Sequence, residues 1–154
     1  MTGLKVIEDF LACKRVAVVG VSRNPRDFTR SLFREFQKRG YDVVPVNPAV
    51  SEVEGLPCFA SVRDVRPEPE AALLLTKPAV TEQAVRDCAE AGVRQVWMYR
   101  ATGAGAVSAG AVSFCESSGM RVVAGECPFM FLPDTQIVHR LHGFCRKLFG
   151  KYPQ

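Results

Sequence analysis

The sequence predicts an α/β fold: a Rossmann-like, doubly wound parallel sheet of about five strands, in a single domain with a C-terminal helix. Short apolar runs recur at similar intervals along the 154 residues. Each run is nearly continuous in apolar character, as strands covered on both faces are, rather than alternating. Segments of helical periodicity lie between the runs, and strand–helix alternation implies right-handed crossovers between parallel strands. The length suits one domain spanning residues 1–154, with a core over 13–127 and a helical extension over 134–149.

Residues 6–12 read as a short leading helix, and RVAVVG (15–20) as the first strand. Phe28, Leu32, Phe33 and Phe36 then share one helical face, and Gly40 ends that helix. DVVPVN (42–47) is the second strand. The next stretch, AVSEVEGLPCFASVRDVRPEPE (49–70), holds one short helix near 61–65, because proline and glycine break the rest. AALLLT (71–76) is the third strand; after Pro78, Val80, Ala84, Val85 and Cys88 repeat the helical spacing up to Gly92. VRQVWMY (93–99) and MRVVAG (120–125) are the fourth and fifth strands. Between them Val107, Ala111, Phe114 and Cys115 form a third helical stripe, closed by Gly119.

Bulk properties exclude several function classes. A net charge of +4 suits a small anionic ligand but is too weak and dispersed for a nucleic-acid partner. No apolar run reaches the roughly eighteen residues of a membrane span, and the N-terminal residues do not read as a secretory signal. The six cysteines are widely spread without a C-x-x-C, and Cys88, Cys115 and Cys145 fall within expected helices, where a thiol packs as a small apolar group. A cytoplasmic chain with reduced thiols is therefore expected.

Ligands of doubly wound sheets bind beyond the carboxyl ends of the strands, where strand order reverses, so the loops after the strands carry the functional candidates. The first is GVSRNPRDF. Gly20 lets the backbone turn sharply, Val21 and Ser22 follow it, and the amides at the next helix start favour a phosphate. Arg23, Arg26 and Arg30 add positive charge nearby. A dinucleotide fingerprint would carry two further glycines that are missing here. The second loop presents Asn47 and Pro48 where an NAD-binding domain usually carries an acid for the ribose, although Asn-Pro is also a plain strand-ending turn. The third loop is Thr76, Lys77 and Pro78; its lysine is either a surface residue or a cation facing the same crevice.

Tyr99 and Arg100 end the fourth strand ahead of a Gly/Ala-rich run, and Cys127 follows the fifth. Cys127 fits packing, ligand contact or reactivity, with packing the commonest use. His139 and His142 share a face of the expected C-terminal helix, but no third metal ligand has convincing spacing. No Ser–His–Asp set, carboxylate pair or activated nucleophile stands out, so binding rather than catalysis is expected.

Taken in order, GVSRNP, VNP, TKP and ECP resemble the small bacterial CoA-binding proteins, stand-alone versions of the CoA-binding domain at the N-terminus of the succinyl-CoA synthetase alpha subunit. The resemblance covers about residues 13–127, and GYDVVPVNP (40–48) together with the Gly-x-Ser turn is its most specific part. It implies coenzyme A or an acyl-CoA as ligand. The phosphates would meet Gly20, Val21, Ser22 and Arg23; the adenosine end would meet Asn47 and Pro48; the nucleotide and pantetheine would meet Thr76, Lys77 and Pro78. The synthetase's phosphorylatable histidine lies in a second domain without a counterpart here, so ligase activity does not carry over. The tail from 126 onward is longer than the smallest members need and suits a partner surface or a lid, with a protein partner or a second copy meeting the C-terminal helix. Two alternatives stay open: an NAD(H)-binding sensor or orphan nucleotide-binding enzyme subunit, and a thiol or metal protein using Cys127, His139 and His142.

Overall fold

Val16, Ala17 and Val18 are wholly shielded from solvent, which only a central strand covered on both faces allows. The structure, a computed structural model, describes residues 3–101 and 103–133. In chain order its elements are α1 (Leu4–Leu11), β1 (Arg15–Val19), α2 (Phe28–Lys38), β2 (Asp42–Val46), β3 (Glu52–Val53), β4 (Leu56–Pro57), β5 (Ala71–Leu74), α3 (Pro78–Glu90), β6 (Gln95–Tyr99), α4 (Ala109–Ser117) and β7 (Arg121–Glu126). Short 3-10 turns cover Val62–Asp64 and Pro128–Met130.

Five strands form one parallel sheet in the order β2-β1-β5-β6-β7. The chain winds outward in one direction from β1 to β2 and then returns to the other side through β5. The strand order thus reverses between β1 and β5, the place where a doubly wound sheet leaves a crevice at its carboxyl edge.

Alternate strand residues face opposite helix layers. Val16, Val18, Leu73 and Trp97 meet α1 and α2 through Phe10, Phe33 and Phe36. Ala17, Ala72, Val96 and Met98 meet α3 and α4 through Ala84, Val85, Cys88, Ala111 and Cys115. Aromatic side chains fill the first layer and small ones the second. The starts of α2, α3 and α4 are fixed locally. Asp27 accepts from the Thr29 amide ahead of α2, Pro78 opens α3, and Ser108 accepts from the Ala111 amide ahead of α4.

Several details differ from the sequence expectation. Phe28 and Val80 are the first-turn members of their stripes, and both are exposed, at 39% and 53%. A first-turn residue overhangs the strand end rather than the sheet, and Arg30 and Thr81 are buried in their place. Val107 precedes the Ser108 cap and so stands outside α4. The leading helix begins at Leu4 rather than near residue 6. Residues 49–70 contain a hairpin, β3 with β4, as well as the expected short helical turn. The expected helix over 134–149, with His139, His142 and Cys145, lies outside the described residues.

Candidate functional site

The first loop leaves β1 at Gly20. There φ is +93°, and an added Cβ would stand 3.0 Å from the carbonyl oxygen of Leu75 and 3.1 Å from Thr76 Cγ2. Glycine is thus required twice, by conformation and by the closeness of the β5 end. The Gly20 amide donates to Val46 O (2.8 Å), tying β1 to the end of β2. The loop is then braced by its own polar groups. The Ser22 amide donates to Thr29 Oγ1 (2.9 Å), the Asn24 amide to Ser22 Oγ (3.1 Å), and the Arg26 amide to Asn24 Oδ1 (3.0 Å).

These bonds change what the α2 start offers. Asp27 Oδ1 already accepts from the Thr29 amide (2.8 Å) and the Thr29 hydroxyl (2.7 Å), and Asp27 O accepts from the Arg30 amide (3.1 Å). The helix terminus carries its own anion, so the anion-binding capacity of this turn rests on the loop upstream of it. Arg23 and Arg26 are exposed on that loop. Arg30 is only 8% exposed and is committed to protein acceptors: Glu54 Oε1 and the carbonyls of Ser22 and Arg23.

Asn47 ends β2 with both ends of its amide engaged. Its Nδ2 donates to Val21 O (2.9 Å), and its Oδ1 accepts from the Ala49 amide (2.9 Å). The residue holds the first loop and forms its own turn at once. Thr76 follows β5, and its hydroxyl lies 2.6 Å from that of the buried Thr81. Lys77 is exposed at the α3 N-cap, and its side chain makes no cap bond there.

Gly20, Asn47, Pro48 and Thr76 line one cavity of about 370 Å³ at the reversal point, within the size range of small-molecule sites. Its far wall is one face of α3, with Val80, Gln83, Ala84 and Asp87, together with Ser61 beside the short 3-10 turn. The sequence shows Val80 and Ala84 only as part of a helical packing stripe, and it does not single out Ser61, Gln83 or Asp87. The available signal was the 80, 83, 84, 87 spacing on the helix that follows the third strand, which mixes polar with apolar groups. At the wall's polar end Asp87 accepts from Ser61 Oγ (3.3 Å) and Gln83 Nε2 (2.9 Å), and pairs with Arg63 at 3.6 Å.

The remaining candidates lie along the same sheet edge but away from this cavity. Arg100 is exposed at the end of β6, with its guanidinium laid against Gly125. Tyr99 packs near Phe28, which also meets Phe129, with ring centroids 5.5 Å and 5.7 Å apart. Burial pushes the Tyr99 hydroxyl up to about 12. Cys127 is 2% exposed, and burial raises its thiol as well, against a backbone hydrogen bond from Phe129 that lowers it. A raised thiol stays protonated at neutral pH and is a poor nucleophile. Among the described residues no group of three His, Cys, Asp or Glu side chains is placed to hold a metal. Among them, too, no helix is long and apolar enough to cross a membrane.

A Rossmann-like α/β domain with its cavity at the sheet's reversal point is the class that fold and site define. Comparison with known proteins narrows it. The family model for the CoA binding domain matches residues 14–133, and the chain belongs to that family. The alpha subunit of the ADP-forming acetate–CoA ligase II of Pyrococcus furiosus is 25% identical over 129 residues, covering 79% of this chain but 28% of the subunit. The chain thus spans little more than a quarter of that relative's length. A hypothetical protein from Pyrococcus horikoshii OT3 superposes with a TM-score of 0.75 at 29% identity, over 83% of this chain and 87% of that one. The apo form of a dinucleotide-forming acetyl-coenzyme A synthetase from Ca. Korarchaeum cryptofilum superposes at 0.61 and 27% identity, over 73% of this chain and 26% of that one.

Proposed function

We propose that this domain binds coenzyme A, free or as a thioester, across the carboxyl ends of β2, β1 and β5, and that its task is binding rather than bond-making. The observation that carries the reading is the convergence of three separate strand ends on one cavity. Gly20, Asn47 with Pro48, and Thr76 meet there although 56 positions separate the first from the last. The adenosine end fits this cavity, whose walls combine apolar Val46, Val62 and Ala84 with polar Gln83 and Asp87. The diphosphate then lies at residues 20–23, with Arg23, Arg26 and Lys77 as the nearby exposed cations. Pro78 fixes the start of α3 beside it.

Val21, Asn47 and Arg30 serve the loop rather than the ligand. Val21 is fully buried, Asn47 donates to Val21 O, and Arg30 divides its donors between Glu54 and the carbonyls of Ser22 and Arg23. From the ribose phosphate and diphosphate, the pantetheine arm runs toward β6, where Arg100 and the Phe28–Tyr99–Phe129 group stand. The raised Cys127 thiol and Tyr99 hydroxyl support a binding role, since neither is an activated nucleophile at neutral pH. The P. furiosus relative is by name a subunit, which supports a protein partner for this chain also.

Isothermal titration with CoA, acetyl-CoA and NAD tests the reading. Saturable binding of a CoA species, with NAD weaker or absent, is expected. No heat with either CoA species beside micromolar NAD binding would remove it in favour of a dinucleotide sensor.

A further inference from the structure

We propose that Glu54 and Arg30 are positioning residues that turn the carbonyls of the first loop inward and so present its Arg23 amide to an anion; this rests on the reading that the loop receives the CoA phosphates. Three successive carbonyls are held by side-chain donors. Val21 O accepts from Asn47 Nδ2 (2.9 Å), while Ser22 O and Arg23 O both accept from Arg30 Nη1 (3.2 Å each). In a planar trans peptide the N–H points opposite to the preceding C=O. Turning Ser22 O toward Arg30 therefore turns the Arg23 N–H away from Arg30. That amide has no acceptor among the described residues. A loop whose oxygens are tied back and whose amide is turned out favours an anion without any charge of its own.

Arg30 could instead swing toward a phosphate, and Glu54 opposes this. Its Oε1 accepts from Arg30 Nε (3.2 Å) and Nη2 (3.0 Å), leaving Nη1 for the two carbonyls. Arg34 binds the same oxygen from the exposed side. The Glu54 carboxyl is raised by burial, but hydrogen bonds from Arg30 and Arg34 outweigh this and hold it below its usual range. Glu54 also occupies an unfavourable place, with φ at +50° in the two-residue turn joining β3 to β4. Asparagine or glycine suits such a turn better than glutamate. Turn geometry alone thus does not account for glutamate at this position, whereas its bonds to Arg30 and Arg34 do.

Two variants and two measurements separate this role from simple structural support. Glu54→Gln keeps the size and removes the charge; Arg34→Gln removes the exposed partner, which does not touch the loop. In ligand-free protein, NMR order parameters at residues 22–24 should fall in E54Q from about 0.85 toward 0.6, and stay unchanged in R34Q. The Kd for CoA should weaken roughly tenfold in E54Q and stay within about twofold in R34Q. Should E54Q not fold, Glu54→Asn, which creates the favoured Asn-Gly turn, carries the same test. A folded E54Q or E54N with unchanged loop order overturns the inference whether or not CoA binds. Loss of loop order in E54Q, with a wild-type protein that binds no CoA, would instead support the positioning device and overturn the CoA reading.

Discussion

Replacing Gly20 with alanine strikes the junction on which both fold and site depend. The backbone there has φ +93°, which costs an L-residue about 1–2 kcal/mol. The new methyl also meets Leu75 O at 3.0 Å and Leu75 C at 3.1 Å. These are backbone atoms at the end of a paired strand, so they cannot rotate aside. Overpacking of this kind adds about 1–3 kcal/mol, for a total of about 2–5 kcal/mol. Gly92→Ala is the internal control, because Gly92 has φ +81° with nothing within 4 Å of an added Cβ. It should lose only the conformational part, about 1–2 kcal/mol. Urea denaturation of the three proteins reads both values directly. Equal losses in G20A and G92A would refute the claim that β1 and β5 crowd each other at the crevice.

Two other perturbations follow from the same geometry. Lys77→Ala should weaken CoA binding roughly tenfold by titration while leaving the urea midpoint nearly unchanged, since the side chain is exposed and makes no cap bond; an unchanged Kd would remove Lys77 from the site. The protein should also lose stability in alkali. Burial raises the thiols of Cys88 and Cys115, the latter from 9.0 to about 11, so the folded state favours their protonated forms. Their contribution is complete below pH 9 and is lost as the pH rises toward the folded values, with Tyr99 adding to the loss above its ordinary value of 10.0. A urea midpoint as high at about pH 10.5 as at about pH 8 would contradict this.

The five sheet strands were legible because burial on both faces writes an uninterrupted apolar run such as VAVV or ALLL, which no polar neighbour dilutes. β3 and β4 were not, since two-residue strands such as Glu52–Val53 carry no periodicity to read. Gly20, Asn47, Pro48 and Thr76, candidates by the strand-end rule, line one cavity because parallel connectivity brings those loops to one edge. It did not show what each side chain does there. Arg30 reads from the sequence as one more cation for a phosphate; only the fold brings in Glu54, 24 residues away, and shows the arginine bound to that carboxylate and to two loop carbonyls. The cavity wall was missed for a similar reason. Gln83 and Asp87 look like ordinary solvent-facing polar residues until Ser61 is seen opposite them.

Amide shift mapping by NMR during titration with CoA tests the central claim most directly, because it reports where the ligand sits as well as whether it binds. Shifts are expected to centre on residues 20–24, 47–49 and 76–79, with the amino edge of the sheet silent. A second, shallower cavity at that opposite edge, lined by Cys13, Lys14, Arg39 and Tyr41, provides the contrast within the same spectrum. Shifts centred there, with Gly20 and Thr76 unmoved, would place CoA at the amino edge and rule out binding at the carboxyl-edge crevice.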